Sequence, residues 1–346
     1  MVWKDKVFRL GGIAVILVSF ALAWTWMSFA SYEDSSLPVD RETTYVIEPG
    51  MTLSQVVRDL DRQGVIEHPR WFRWMARLSG DARSIQAGEY HITPDMTPGQ
   101  LLNAFVSGKV KQYSLTLVEG WTFDQMMAAV DASPDLEHTL KGLSDQAIME
   151  RLGHPDQHPE GRFYPDTYYF PRGTTDVAFL KRAYQTMEKV LAREWETRDV
   201  GLPYKSPYDA LIMASIVERE TAVPEERATI AGVFVRRLQK RMRLQTDPTV
   251  IYGLGDDYHG NLKRRHLKHD TPYNTYTRRG LTPTPIAMPS GDSIRAALRP
   301  APGDELYFVA KGDGSHHFSS TMAEHNRAVR KYQIRNRSRD YRSRPE

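Results

Sequence analysis

Apolar residues follow three patterns along this sequence, and each pattern predicts a different kind of element. The first is an uncharged, predominantly apolar run at 10–30, long enough to cross a bilayer as a helix. The second places apolar residues three or four positions apart, as in 52–64 and 69–80, and predicts amphipathic helices. The third is a segment that is apolar on nearly every face, 210–217, and it predicts a buried central helix.

The charges on either side of the first run predict its orientation. Three basic residues precede it and two acidic residues follow it: Lys4, Lys6, Arg9, Glu33 and Asp34. Basic residues favour the cytoplasmic side, so residues 1–9 are predicted to be cytoplasmic and the rest of the chain to lie outside.

A cleaved signal peptide is the alternative for this run, because Ser28 and Ala30 form a weak small-x-small site. Its apolar core would be unusually long, however, and Trp24 and Trp26 suit a membrane–water interface. We therefore predict a retained transmembrane helix over 10–30.

A small domain is predicted next, at 44–110, after a polar linker at 31–43. Strands at 45–47 and 88–92 flank the two amphipathic helices, which gives a βααβ order. Units of this kind resemble LysM modules, which bind N-acetylated glycans, although a subdomain with a purely packing role would have the same pattern. A turn, a Thr, a Gln three residues later and two apolar residues recur as a helix start at Thr52, Thr97 and Thr122.

The remainder predicts a larger mixed α/β catalytic domain at 111–333, followed by a basic tail at 334–346 that we expect to be disordered. The fold class is therefore α+β: one amino-terminal transmembrane helix, a small LysM-like βααβ subdomain and the larger domain.

Composition excludes several classes of function. The 346 residues include 46 basic and 43 acidic residues, a net charge of +3, which argues against a nucleic-acid binder. The absence of cysteine excludes disulfides, thiol catalysis and cysteine-based zinc sites. His266 and His269 have a spacing that a metal could use, but basic residues surround them and a third ligand is not obvious. We predict neither a metal nor a cofactor.

The central helix ends in two glutamates, Glu218 and Glu220. At about 100° per residue they point to roughly opposite sides, so only one can face a given cleft. Glu218 follows Ala214 and Ser215 on one stripe, and these small residues are expected to leave room for a ligand. The alternative is that both glutamates are the solvated end of a core helix.

Two later segments are dense in hydrogen-bonding side chains. The segment 242–253 carries Gln245, Asp247 and Tyr252, and 272–277 carries Asn274 and Tyr276. Such a density suits a ligand rich in hydroxyl groups.

Taken together, the segments 214–222, 243–253 and 273–276 resemble the MltG (YceG-like) endolytic murein transglycosylases. Glu160-Gly161, the segments 165–168 and 316–326, and the amino-terminal anchor fit the same family. The chain departs from the family pattern at Thr282 and at 288–290, where the family usually has Gly-Leu-Pro-Pro and a later Asn-Pro-Gly. The hydrogen bonds of this loop are therefore an open question.

The resemblance implies cleavage of the β-1,4 bond between N-acetylmuramic acid and N-acetylglucosamine in nascent glycan strands, giving 1,6-anhydromuramic ends. The family's catalytic glutamate falls on Glu218, and one carboxyl can serve as general acid and then base. The residues expected to support it or to bind substrate are Glu220, Ser215, Gln245, Asp247, Tyr252, Asn274 and Tyr276. The resemblance also implies a single-pass protein of the inner membrane with a periplasmic catalytic domain, with peptidoglycan strands and peptidoglycan synthases as partners.

Two other functions are compatible with the sequence. One is a non-catalytic, peptidoglycan-binding scaffold of the wall-synthesis machinery, which would leave glycan strands uncut. The other is a lysozyme-like hydrolase, whose products would carry reducing ends because water replaces the sugar hydroxyl as nucleophile.

Overall fold

The computed structural model describes residues 2–335, with side-chain burial for 11–334. It divides into an amino-terminal unit, which ends at Tyr113 but also includes Phe170–Arg172, and a carboxy-terminal unit made of Ser114–Tyr169 and the chain from Gly173 onward. The predicted mixed α/β fold with an apolar amino-terminal helix is confirmed. That helix, α1, spans Val2–Glu33, and within the described residues it is the one helix long and apolar enough to cross a membrane. The basic tail falls almost wholly outside the described residues.

Two antiparallel strands and three further helices make up most of the amino-terminal unit. The elements are β1 (Thr43–Ile47), α2 (Leu53–Arg62), α3 (Pro69–Leu78), a short 3-10 turn (Asp81–Arg83), β2 (Gly88–Ile92) and α4 (Pro98–Ser107). β1 pairs with β2 with Tyr45 opposite Tyr90, and both rings are buried. The structure therefore has the expected strand–helix–helix–strand order, while the likeness to LysM modules stays a prediction.

The three recurring Thr-x-x-Gln motifs each begin a helix. At Thr52, Thr97 and Thr122 the threonine side chain accepts the backbone N–H of the glutamine three residues later. Each glutamine side chain in turn accepts the threonine N–H, so two donors of the first turn are satisfied reciprocally.

The segment predicted as a linker, 31–43, is packed against the amino-terminal unit and is not free. Helix α1 continues to Glu33, and Phe29, Tyr32 and Leu37 are all buried in the core of this unit. The Leu37 N–H donates to the Met96 carbonyl at 2.9 Å. The polar composition concealed this packing, because the buried residues are few and widely spaced.

The strands β3 (Gln112–Thr116) and β4 (Thr167–Pro171) form a second small sheet, and each strand has residues in both units. The carboxy-terminal unit is mainly helical and contains a further pair, β5 (Tyr307–Ala310) antiparallel to β6 (His316–Ser319). Its helices are α5 (Phe123–Ala132), α6 (Asp145–Leu152), α7 (Asp176–Glu196), α8 (Pro207–Glu220), α9 (Arg227–Gln239), α10 (Asp247–Leu254), α11 (Arg264–Lys268), α12 (Gly291–Leu298) and α13 (Met322–Val329). A 3-10 turn, Pro224–Glu226, precedes α9, and a π-helical segment, Arg330–Arg335, follows α13.

Helix α8 is the predicted central helix. The Ser206 side chain caps it by accepting the Asp209 N–H, and Pro207 occupies the first turn, where its missing N–H costs nothing. Every residue from Ala210 to Val217 is buried. Around it pack α7, α9, α10 and α12, so its last turn carries the two glutamates out of a rigid core.

Candidate active site

Two hydrogen bonds from Ser290 and the charge of Arg227 surround the Glu218 carboxylate. The backbone N–H and the hydroxyl of Ser290 both donate to Glu218 Oε2, at 2.8 Å and 2.5 Å. Arg227 Nη2 lies 3.7 Å from Oε1, and the Glu218 side chain is only 6% exposed. The carboxyl group is therefore held in one position before any substrate arrives.

An open cavity of about 750 Å³ lies beside Glu218, a volume within the range of ligand-binding clefts. Its lining comes from three parts of the carboxy-terminal unit: 116–120, 165–167 and the region from the end of α8 to the start of α9. The residues of that last part are Glu218, Arg219, Thr221, Ala222 and Arg227. The cavity thus opens at the end of α8.

The expectation that Ala214 and Ser215 leave room for a ligand is wrong. Both residues are fully buried. The Ser215 hydroxyl donates to the Ile212 carbonyl at 2.7 Å and accepts the Ile286 N–H at 3.0 Å. Ser215 therefore fixes the loop that leads to Ser290 and has no surface to offer a substrate.

The loop that departs from the family pattern is where Glu218 is held. Thr282 is buried, and its hydroxyl donates to the Thr284 carbonyl at 2.8 Å. Met288 exchanges backbone hydrogen bonds with Gly120 and Trp121, each at 2.8 Å. Ser290 then donates to Glu218, so Thr282, Met288 and Ser290 each make hydrogen bonds that hold this loop.

A second carboxylate, Glu119, lines the same cavity. Arg227 Nη2 lies 4.0 Å from Glu119 Oε2 and therefore bridges Glu119 and Glu218. Partial burial, followed by the nearby charge of Glu218, raises the pKa of Glu119. The next residue, Gly120, has φ +76 and accepts a hydrogen bond from Arg219 at 2.9 Å through its carbonyl.

Glu220 faces a different set of groups, as its place on the helix predicts. Thr246 donates its hydroxyl proton to Glu220 Oε2 at 2.6 Å. Nearby, the Tyr276 hydroxyl donates to Asp247 Oδ1 at 2.6 Å, and burial raises the pKa of Tyr276. Asp247 and Gln245 are exposed, and Gln245 has an unusual φ of +51. Glu220, Asp247 and Tyr276 thus form a polar cluster separate from the donors that hold Glu218.

Tyr252 binds another buried carboxyl group, Glu160, and does not line the Glu218 cavity. The Tyr252 hydroxyl donates to Glu160 Oε2 at 3.0 Å, and the Phe123 N–H donates to Oε1 at 3.1 Å. Glu160 is 3% exposed, and this burial raises its pKa from 4.5 to about 7. Glu160 and Tyr252 therefore join α10 to the start of α5.

Asn274 is also internal. Its amide nitrogen donates to the carbonyls of His266, Leu267 and His269, and its amide oxygen accepts the Tyr276 N–H at 2.9 Å. With all these bonds made and the side chain fully buried, Asn274 shapes the loop before Tyr276. The two histidines near it belong to no cluster of three metal-binding side chains within residues 2–335.

The structure brings Glu218 to a cavity but distributes the other predicted residues among four separate places. Ser215 and Asn274 are buried supports, Tyr252 pairs with Glu160, and the rest lie around Glu220. The groups that sequence reasoning missed are Ser290, Arg227 and Glu119. Glu119 had one available signal, because Glu119-Gly120 begins the third of the recurring helix starts.

Comparisons with known proteins agree on one family. The model of the YceG-like family matches residues 45–331. An endolytic murein transglycosylase of Bacillus subtilis is 33% identical over 314 residues, which cover 85% of this chain and 86% of that protein. One of Streptococcus pneumoniae is 26% identical over 360 residues, covering 92% of this chain and 65% of the relative.

The fold agrees with this relationship. The crystal structure of a putative YceG-like protein from Listeria monocytogenes is similar to this chain with a TM-score of 0.53 and 31% identity. The match covers 84% of this chain and 99% of the other. On the match to the family model and the identity to the B. subtilis protein, this chain belongs to the YceG-like family.

Proposed function

We propose that this chain is an endolytic lytic transglycosylase of peptidoglycan, with Glu218 as its general acid and base. The observation that carries the proposal is the Glu218 carboxyl, held by Ser290 and Arg227 at the edge of an open cavity. The names of the B. subtilis and S. pneumoniae relatives support the reaction class.

The reaction needs two proton transfers at one carboxyl group, the first from Glu218 and the second back to it. Protonated Glu218 gives its proton to the oxygen of the β-1,4 bond, and the bond to the muramic C1 breaks. The muramic C6 hydroxyl then attacks C1 and returns its proton to the carboxylate, which leaves a 1,6-anhydro ring and restores the acid. Because Ser290 occupies Oε2, Oε1 is the oxygen we assign to the proton transfers.

Glu119 supports a second candidate, a hydrolase that uses two carboxylates. Retaining and inverting hydrolases place a second carboxyl group near the scissile bond, and Glu119 lines the cavity that Glu218 lines. In that case water is the nucleophile, and Glu119 would act as base or nucleophile.

One experiment separates these functions from each other and from a scaffold. The full chain in detergent micelles is incubated with purified, uncrosslinked glycan strands, and the masses of the products are measured by mass spectrometry. Anhydro ends support the transglycosylase, products heavier by one water support the hydrolase, and intact strands support the scaffold. The variant Glu119→Gln should abolish reducing-end products of a hydrolase but leave anhydro ends of a transglycosylase.

We also propose that α1 is retained as a membrane anchor with the rest of the chain on the outer side of the inner membrane. The exposed apolar side chains of α1 support its insertion in a bilayer. The basic residues before its apolar run support the orientation. The amino-terminal mass of protein extracted from membranes tests it, since a mature chain that begins near Ser31 would contradict a retained anchor.

A further inference from the structure

We propose that the outer face of α3 lies in the phospholipid headgroup layer of the bilayer that α1 crosses, so that the amino-terminal unit is held on the membrane surface. This rests on the proposed anchoring by α1 and is independent of the reaction at Glu218. The lipid-facing surface consists of Arg70, Trp74, Arg77 and Leu78.

Aromatic contacts fix α3 against the outer end of α1. The rings of Phe29 and Trp74 meet edge to face with centroids 6.2 Å apart, and those of Tyr32 and Trp71 meet in the same way at 5.5 Å. Phe29 and Tyr32 are both buried. All four residues belong to the amino-terminal unit, so the depth of α1 in the bilayer sets the depth of α3.

The length of the apolar run gives that depth. The run 10–30 rises about 31 Å at 1.5 Å per residue, which matches the roughly 30 Å hydrocarbon core of a bilayer. Phe29 then lies at the outer edge of the hydrocarbon, and Trp74, which contacts it, lies at the same level. Trp26, one turn earlier and 66% exposed, marks the same interface.

The side chains on the exposed face of α3 suit the phospholipid headgroup layer. Trp74 is 52% exposed and Leu78 66% exposed, although both are large apolar residues. At about 100° per residue, Leu78 extends the apolar side of this face, and Arg70 and Arg77 flank Trp74 on its other side. Tryptophan favours the membrane–water interface, and arginine can pair with lipid phosphates while its stem stays in apolar surroundings.

The test uses site-directed fluorescent labels, which the absence of cysteine makes straightforward. Single cysteines replace Trp74 or Leu78 in the full chain, each variant receives an environment-sensitive fluorophore, and the protein is reconstituted into phosphatidylglycerol-containing vesicles. Quenching is compared between lipids that carry a nitroxide near the headgroup and lipids that carry it deep in the acyl chain. Val46→Cys is the matched control, because Val46 is an apolar residue of the same unit with similar exposure, 48%.

Labels at positions 74 and 78 should be quenched most by the shallow nitroxide and should emit at shorter wavelength than the label at position 46. Adding Arg70→Gln and Arg77→Gln to the Leu78→Cys chain should reduce that quenching. The proposal is overturned if labels at 74 and 78 behave like the label at 46. It is equally overturned if they are shielded from an aqueous quencher yet unaffected by either lipid, which would mean that protein covers this face.

A label at Val18→Cys distinguishes failure of α3 to lie on the membrane surface from failure of α1 to span the bilayer. Val18 lies in the middle of the apolar run and is 58% exposed, so the deep nitroxide should quench it if α1 spans the bilayer. Deep quenching at 18 without shallow quenching at 74 and 78 would retain the anchor and reject the docking of α3.

Discussion

At the scale of single residues, the site depends on which side of α8 each glutamate faces. Ser290 and Arg227 hold Glu218 beside the cavity, whereas Thr246 donates to Glu220 elsewhere. Replacing Glu218 by Gln removes the transferable proton at nearly constant volume. We expect the rate of formation of anhydro ends to fall about 100- to 10,000-fold, the range for general acid–base catalysis.

Glu220→Gln is the matched control, because a glutamine oxygen can still accept the Thr246 bond. It should lose much less activity than Glu218→Gln, and product rates are measured together with the melting temperature of each variant. A folded Glu220→Gln protein without activity, alongside an active Glu218→Gln protein, would show that the acid is on the other face of α8.

The raised pKa of Glu160 predicts how the stability of the folded chain depends on pH. Its pKa is about 7 in the folded chain against 4.5 ordinarily, so the folded state binds this proton more tightly than the unfolded state. The contribution of Glu160 to the free energy of unfolding is therefore full below about pH 4.5 and is lost as pH rises through 7. The full loss is about 3–4 kcal/mol, because the pKa difference between the two states is multiplied by about 1.4 kcal/mol per pH unit.

Urea unfolding of the full chain and of Glu160→Gln between pH 4.5 and 8 measures this difference. The variant cannot ionise here, so it should lose less stability than the wild type over this range. Parallel pH curves for the two proteins would mean that Glu160 does not titrate as its burial indicates.

The same scale shows what the sequence can and cannot reveal about the site. Glu218, which the structure places at a cavity, could be selected from the sequence because its motif is local and the helix that carries it has a clear apolar pattern. Ser290 is 72 residues away from Glu218, and its two bonds exist only because the loop after Thr282 returns to α8. Neither residue type nor spacing predicts such a return.

At the scale of elements, the buried Ser215 connects α8 to the loop that carries Ile286 and Ser290. Ser215→Ala would leave the buried Ile286 N–H without its acceptor, which costs about 1–3 kcal/mol. We expect the unfolding free energy to fall by that amount, and activity to fall with it because the loop also carries Ser290. Denaturant unfolding and the anhydro-product rate measure the two effects.

Ser293 on α12 supplies the control. It is also fully buried, but its hydroxyl has no partner among the residues that the structure describes. Ser293→Ala should therefore be close to neutral. If both alanine variants destabilise the chain equally, the hydrogen bond that the Ile286 N–H donates to Ser215 adds no measurable stability.

The starts of helices were the most predictable part of the fold, since a capping box needs only two residues three positions apart. All three Thr-x-x-Gln motifs begin helices. Helix α9 begins less regularly, because the 3-10 turn Pro224–Glu226 precedes it and the α-helix itself starts at Arg227. That offset places Arg227 in the first turn of α9, where its side chain reaches Glu218.

At the scale of the whole molecule, the end of α1 is part of the first folded unit. A soluble fragment that begins at residue 40 loses Phe29, Tyr32 and Leu37 from that core, and each buried apolar side chain is worth about 1.5–3 kcal/mol. A fragment that begins at residue 28 keeps all three. We expect the shorter fragment to melt earlier and to be cut sooner by protease within 44–110.

Identical melting curves and protease patterns for the two fragments would show that this packing adds no stability. The sequence did not predict the packing, because Phe29 lies within the apolar run at 10–30 and the other two, Tyr32 and Leu37, form no periodic pattern in the polar stretch. It also could not show that Phe170–Arg172 would belong to the amino-terminal unit, since that depends on how the chain returns from a distant position.

The burial of Phe29 and Tyr32 also has a mechanical consequence. A domain on a flexible tether can turn and drift, and slack in the tether absorbs any pull on it. Here the connection to α1 is a packed joint, so a force on the amino-terminal unit passes directly through two rings into α1. Under the anchoring proposed above, a pull on this unit would tilt α1 within the bilayer, because no slack linker is left to absorb it.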